Sequence, residues 1–579
     1  MTRKRPSLTV LVLGTIVAAA FILRVIGIQY GLPAVYNPDE VAIMARSLAF
    51  AKGSLNPGNF LYPTLYFYVL FGWVAGYLGW LWLTGSASSV AALQALYFTN
   101  PTGIYTAGRL LTAVCGTLTV AAVYTLGKRL FNVHVGLAAA LFLAAAPLAV
   151  RDAHYVKHDI PVTLAIVVAH IAIVRVWPFL QSLAAARNGV MLAAAACGVA
   201  FSTHYYSVFL VLPLTLAIVQ RSRRDGVTAI ARHLTLAAII CTAVFFALSP
   251  FILVEPVVAW RDITANRQIV IDRAVRSGAF GPADQYLTML WSDSMGRAVV
   301  AAAAAGAACM AVVSPARAAV LLLFPISFFL FITNTAPASR YLNPVLPFLA
   351  LFAAWMIDYI RTALRAPRVA ASVVALVFAV SPVMHSIRTD AFLRTDDTRT
   401  LAERFVQRSI PAGASILIQP YSVPLTSSRE GLEEALRINL GSVAAASTKF
   451  QIQLGLDPYP SPAYRLIWLG RGGLDADKIY VDPARLAGPQ ALSELKRLGV
   501  TYVILKRYNM KDSELESFAA ELSRGGRRIA AFSPYRTETS EAERARTEPF
   551  LHNTDTRIEH ALARPGPPLE IWQIDGPDS

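Results

Sequence analysis

The chain has 579 residues, of which 55% are hydrophobic and only 15% charged, and it carries a formal net charge of +16. Soluble domains hold about 25% charged and 45–50% apolar residues, so a mean hydropathy of +0.49 excludes a wholly soluble or disordered protein. The arginines mark the ends of apolar runs and form no single basic stripe, which argues against nucleic-acid binding.

The first apolar run, Leu8–Ile28, follows Arg3-Lys4-Arg5 and keeps Arg24 where a small-residue cleavage site would stand. It reads as a retained helix with a cytoplasmic N-terminus. Leu61–Leu83 is long enough to span, but its many Tyr, Trp and Gly residues suit an interfacial or re-entrant segment. Residues 29–108 therefore read as one external region. Further spans are expected near Leu110–Leu130, Val135–Val150, Ile160–Phe179, Gly189–Thr203, Val208–Val219 and Leu234–Leu253. Ala298–Val313, Ala319–Ile332, Val345–Ile360 and Val369–Met384 complete a count of about eleven. With an inside start, Lys128/Arg129, Arg175/Arg187, Arg221–Arg232, Arg317 and Arg361–Arg368 all fall in cytoplasmic connections. That is the positive-inside pattern. Cys115, Cys197, Cys241 and Cys309 lie inside apolar runs and read as buried hydrophobes, not as a disulfide framework.

Composition changes near residue 386, where Asp, Glu and Arg become frequent. Helices are expected at Thr398–Arg408, Leu492–Leu498 and Ser513–Ser523, and strands at Ser415–Gln419, Arg465–Leu469, Thr501–Leu505, Ile529–Phe532 and Leu569–Ile574. The fold class is thus a mainly α, polytopic membrane body, residues 1–385, with an external soluble α/β domain, residues 386–579.

Polar residues at membrane depth gather on the external side. In YNPDEVAIMARSLAF, Asp39 and Glu40 follow Asn37 and Pro38, which a helix cap alone would explain. RDAHYVKHDIP brings Arg151, Asp152, His154, Lys157, His158 and Asp159 together between two spans. His204 stands beside Tyr205 and Tyr206, and Arg340 with Tyr341 opens a later span, where a snorkelling arginine is the plain alternative. Together they fit one chemistry. A carboxylate deprotonates an acceptor hydroxyl while Arg, Lys or His stabilises a departing phosphate. A phosphate carried on a membrane lipid would account for an enzyme built of membrane helices. A transporter or lipid flippase is the alternative; it would place its charges at the midplane, often with inverted repeats.

NPDE after a first apolar helix resembles the GT-C superfamily of glycosyltransferases. LYPTLYFYVLF, GRLLTAVCGTLTVAAVYTLGKRLF, VGLAAALFLAAAPLAVRDAHYVKHDIPVTL and SRYLNPVLPFLAL are similar to the glycosyltransferase family 39 and lipid A aminoarabinose transferase branch, over roughly residues 8–385. The resemblance implies a polyprenyl-phosphate-linked sugar donor, an inverting transfer to a lipid, glycan or protein acceptor, and a site on the periplasmic or outer face of the cell membrane. It makes Asp39 the general base, with Asp159 the second carboxylate. Glu40 would assist or bind acceptor, and Arg340, Lys157 and His204 would hold the phosphate, with His154, His158 and Tyr341 nearby. Some relatives bind a divalent metal and others need none; Glu40 and His204 are the candidate ligands. The chain lacks an aromatic residue downstream of the acidic pair and any MIR-type repeat, which counts against a protein acceptor.

Overall fold

The computed structural model describes residues 7–177, 186–275, 281–473, 475–507, 513–551 and 558–574. Nine helices among them are long and apolar enough to cross a membrane, or ten if one bent pair counts as a single span. The chain opens with α1 (Leu8–Val25), α2 (Pro38–Leu48), α3 (Leu65–Leu83), α4 (Val90–Thr99) and α5 (Thr102–Leu130). Then come α6 (Val133–Ala145), α7 (Pro147–Asp152), α8 (Asp159–Val176), α9 (Ala186–Thr203), α10 (Val211–Ser222) and α11 (Val227–Leu248). A single turn of helix, α12 (Phe251–Val254), leads to α13 (Pro256–Val275) and α14 (Gly281–Met289). The body closes with α15 (Arg297–Val313), α16 (Pro315–Ile332), α17 (Leu346–Ala363) and α18 (Arg368–Leu393).

The difference from the expected eleven has local causes. Val135–Val150 breaks at Ala146, because Pro147 starts a new helix there, leaving a 13-residue segment. The apolar helix ending at Thr203 is also shorter than a full span. Ala298–Val313 belongs to the bent pair. Residues 178 and 179, which close one expected span, lie outside the described set.

Leu65–Leu83, expected to be an interfacial or re-entrant segment, is instead a single unbroken helix and one of the nine. It packs antiparallel to the start of α5: Leu70 lies against Gly108, Trp73 Nε1 donates to the Ala107 carbonyl at 2.9 Å, and the Tyr77 hydroxyl sits over Gly103. At 1.5 Å per residue α5 is about 43 Å long, beyond the ~30 Å of a hydrocarbon core. α3, 19 residues long, thus packs against the opening turns of α5.

The two ends of the bundle differ in chemistry. At one end, Asn132 Nδ2 donates to Asp358 at 2.7 Å and Arg317 lies 6.0 Å from the Phe131 ring centroid, so the basic ends of α5 and α17 meet the start of α16. At the other end, the close of α1, the start of α5, the loop 153–158 and the end of α18 converge. His154 Nε2 is 2.7 Å from the Ile26 carbonyl and 3.8 Å from Asp390. α18 runs on past residue 385 to Leu393 and carries the chain from this end into the α/β domain.

That domain comprises α19 (Thr398–Ser409), β1 (Ser415–Ile418), α20 (Arg429–Leu440), α21 (Thr448–Leu454), β2 (Arg465–Leu469) and β3 (Ile479–Val481). It continues through α22 (Ala491–Arg497), β4 (Tyr502–Lys506), α23 (Ser513–Gly525), β5 (Arg527–Phe532), α24 (Glu541–Arg546) and β6 (Leu569–Gln573). The sheet order is β3-β2-β1-β4-β6-β5, parallel from β3 to β4 and antiparallel beyond. Side chains alternate between faces: Ile416, Ile418 and Ile504 pack with Ala402 and Val406 of α19, while Leu417, Val503 and Leu505 pack with Leu495 and Phe518 of α22 and α23.

Close helix approach in the body depends on small residues. A Cβ on Gly306 of α15 would lie 2.3 Å from the Phe352 carbonyl oxygen of α17, a backbone atom with no freedom to yield. Gly306→Ala is expected to cost about 1–3 kcal/mol. This should appear as a lower melting midpoint of the detergent-solubilised protein; an unchanged midpoint would contradict the packing.

Candidate active site

Asn37 caps α2 as its sequence predicts, its side chain accepting from the Asp39 amide at 3.1 Å, with Pro38 in the first turn. Successive helical residues point about 100° apart, so the acidic pair divides. Glu40 turns inward and is fully buried. Its two oxygens accept from Arg109 Nε and Nη2 at 2.8 and 2.7 Å, and Oε1 also accepts from the Val156 amide at 2.8 Å. Arg109 uses its remaining nitrogen on the Ile28 and Tyr30 carbonyls, at 2.8 and 2.7 Å.

Asp39 turns outward and is about half exposed, with Lys157 Nζ 2.7 Å away and Arg340 Nη2 at 3.9 Å. It stands on a pocket of about 180 Å³. Lys157, His158, Asp159, His204, Arg340 and Tyr341 line the same pocket, so loops more than 100 residues apart in sequence meet there. Burial pushes the Lys157 ammonium below its usual range, aided by the Arg340 charge and opposed by Asp39. Burial also depresses Arg340, but Tyr341, Asp159 and Asp39 outweigh it and hold the guanidinium charged. His158 stacks on Tyr62 with ring centroids 4.4 Å apart; burial and the neighbouring His204 hold it well below its usual range, and its Nε2 has no hydrogen-bond partner among the described residues. Burial likewise keeps His204 neutral, its Nδ1 accepting from the Tyr206 amide at 3.4 Å.

A buried polar set aims Arg340. Arg151 donates to Asp152 Oδ1 through Nε and Nη2 at 2.9 and 2.6 Å, and Nη2 reaches Ser339 Oγ at 3.1 Å. Asn343 donates to the other Asp152 oxygen at 2.6 Å. These contacts fix the turn Ser339–Leu342 from both sides of Arg340. Arg151 and Asp152 are thereby spent on structure.

Two sequence expectations change place. Glu40, expected to assist catalysis or bind substrate, does not line the pocket, because Arg109 and Val156 occupy its carboxylate. His154 does not line it either: its two ring nitrogens lie 2.9 and 2.7 Å from the Val150 and Ile26 carbonyls. The suggested metal ligands, Glu40 and His204, therefore form no site, and no group of three His, Cys, Asp or Glu among the described residues could hold a metal ion. Two polar pocket residues were not anticipated, Arg46 and Tyr62. Arg46 lies seven residues after Asp39, two helical turns on the same face, and that spacing was the available signal. Tyr62 had none.

Residues 90–251 match the model of the dolichyl-phosphate-mannose-protein mannosyltransferase family. The match agrees with the resemblance drawn from the sequence. No curated protein sequence matches the chain. Among solved structures, ArnT from Cupriavidus metallidurans bound to undecaprenyl phosphate is 15% identical, covering 90% of this chain and 96% of that one with a TM-score of 0.49. The Archaeoglobus fulgidus oligosaccharyltransferase in the apo form is 11% identical over 99% of this chain and 89% of that one, with a TM-score of 0.48. The S. cerevisiae protein O-mannosyltransferase Pmt1-Pmt2 complex bound to the sugar donor is 20% identical over 45% and 35%, with a TM-score of 0.33.

The neighbours Asp39 and Glu40 should separate by stability. Glu40→Gln leaves the buried Arg109 charge uncompensated, at an expected cost of about 3–5 kcal/mol. Asp39→Asn, half exposed, should cost about 1 kcal/mol or less. Melting of the two purified variants checks this, and equal shifts would contradict it.

Proposed function

We propose that this chain is a membrane glycosyltransferase that moves a sugar from a polyprenyl-phosphate carrier to an acceptor hydroxyl, with inversion at the anomeric carbon. The observation that carries the reading is Asp39 at the pocket mouth between Lys157 and Arg340, 2.7 and 3.9 Å away. A carboxylate and two cations at one small pocket are what deprotonation and phosphate departure require.

In the step, Asp39 takes the acceptor O–H proton while the acceptor oxygen forms its bond to the anomeric carbon. The carbon–oxygen bond to phosphate breaks, and its electron pair leaves on the phosphate. Arg340 and Lys157 stabilise that charge, with Arg46 at the same pocket. The ion pair seen here gives the base a trigger. While Lys157 holds Asp39, the carboxylate is a weak base; a phosphate drawing Lys157 away would raise its proton affinity as donor binds. Asp159, buried in the pocket, balances the cations. The neutral rings of His158 and His204, with Tyr62 and Tyr341, supply walls for the sugar.

The pocket lies at the end of the bundle opposite Lys128, Arg129, Arg317 and Arg361. By the positive-inside rule that end faces away from the cytoplasm, and the α/β domain lies on the same side.

Purified full-length protein given a polyprenyl-phosphate sugar, with a heat-inactivated envelope extract as the source of acceptor hydroxyls, tests the reading. The wild type should release polyprenyl phosphate. Asp39→Asn should lower the rate by at least ~100-fold, the upper part of a general base's ~10²–10⁴-fold contribution being reached where no other group substitutes. A folded Asp39→Asn variant with full transfer would remove Asp39 as the base.

A further inference from the structure

The segment that leads into the acidic pair leaves the membrane body and is gripped by the α/β domain. Tyr36 stands three residues before Asp39. Its hydroxyl is 2.6 Å from Thr400 Oγ1, and the Arg399 guanidinium lies over its ring, 3.7 Å from the centroid. Arg399 is itself buried. It donates to both Asp397 oxygens at 2.9 and 2.7 Å and to the Leu551 carbonyl at 2.8 Å. The Tyr30 hydroxyl donates to Asp397 Oδ2 at 3.0 Å. Tyr30 packs edge-on against Tyr155, with centroids 6.4 Å apart, and against Phe550 at 6.2 Å. Tyr155 is two residues from Lys157. The chain segments that deliver Asp39 and Lys157 therefore meet one aromatic box, and an arginine of the α/β domain closes it.

A buried Arg–Asp pair at a domain junction is often no more than adhesive. Two features go beyond that here. Val35, a β-branched residue, holds φ +50, a conformation that costs energy and persists only when surroundings impose it. The link from Tyr36 to Asp39 is also short and stiff: Asn37 caps the helix and Pro38 fixes its first backbone angle.

We infer that Arg399 is a positioning residue, through which the α/β domain holds Tyr36 and hence sets Asp39 against Lys157. The inference rests on the proposed role of Asp39 as the base. It gives the α/β domain a part in the reaction without contact to the reacting atoms.

The test uses the full chain in detergent with Arg399→Ala, Arg399→Lys and Tyr36→Phe. Hydrogen exchange over residues 31–48 should rise in Arg399→Ala while the rest of the bundle keeps its protection. kcat should fall by about 10- to 100-fold, the order expected for ~1 Å of misplacement, with the KM for donor unchanged. Arg399→Lys keeps the charge beside Asp397 but loses the planar fork, and should recover part of kcat. Tyr36→Phe removes only the Thr400 bond, so it keeps the box if Arg399→Ala does not fold, and should give a smaller kcat loss in the same direction. Unchanged exchange and unchanged kcat in a folded Arg399→Ala, or in Tyr36→Phe, would overturn the inference. So would a loss confined to melting temperature with kcat intact. If exchange rises while Asp39→Asn stays active, the catalytic reading fails and the domain contact stands as a hold on the loop alone.

Discussion

Everything at the polar end of the bundle depends on the buried ion pair between Glu40 and Arg109. Neither side chain reaches water; Arg109 donates four hydrogen bonds and Glu40 accepts three. Through it α2 is fixed to α5, the 153–158 loop to α2, and the end of α1 to both. Isolated in such a site, either charge would be strongly unfavourable; together, with three backbone partners, they form a rigid joint. Asp39 inherits its position from that joint, because a helix anchored at one residue has its neighbour's direction fixed.

The two acidic residues thus show how one short helix can separate structure from chemistry. The inward carboxylate is buried and accepts three hydrogen bonds. The outward one is half exposed and pairs with a lysine that a stronger anion can attract. A second joint, Arg151 with Asp152, Ser339 and Asn343, does for Arg340 what Glu40 does for Asp39. Asp39 and Arg340, the proposed base and phosphate-binding group, are each one step removed from a buried ion pair. Such support is what holds a site to the tolerance that catalysis demands.

Much of this was legible in the sequence. The change of composition along the chain pointed to a C-terminal α/β region, and Arg465–Leu469 forms a strand over just the residues expected, because a buried parallel strand reads as a short apolar run. The cap at Asn37 and the grouping of Lys157, His158 and Asp159 were also visible as local patterns. What failed was long-range. Arg109 sits within an apolar helix, and nothing near it in sequence announces a partner 69 residues away. Glu40 and His154 look as reactive as their neighbours until the backbone groups that occupy them are seen. Hydropathy could not show that Pro147 ends a span early, nor that α3 packs on only the start of α5. β3 is three residues long, too short for any periodicity to register.

The most direct measurement is native mass spectrometry of the detergent-extracted full chain, wild type beside Arg340→Ala. If a lipid-borne phosphate sits at Lys157 and Arg340 as proposed, the wild type should retain a polyprenyl phosphate or polyprenyl-phosphate sugar through purification, and Arg340→Ala should lose it while remaining folded. A phosphate-bearing polyprenyl lipid held equally by both proteins, or absent from both after incubation with polyprenyl phosphate, would contradict it.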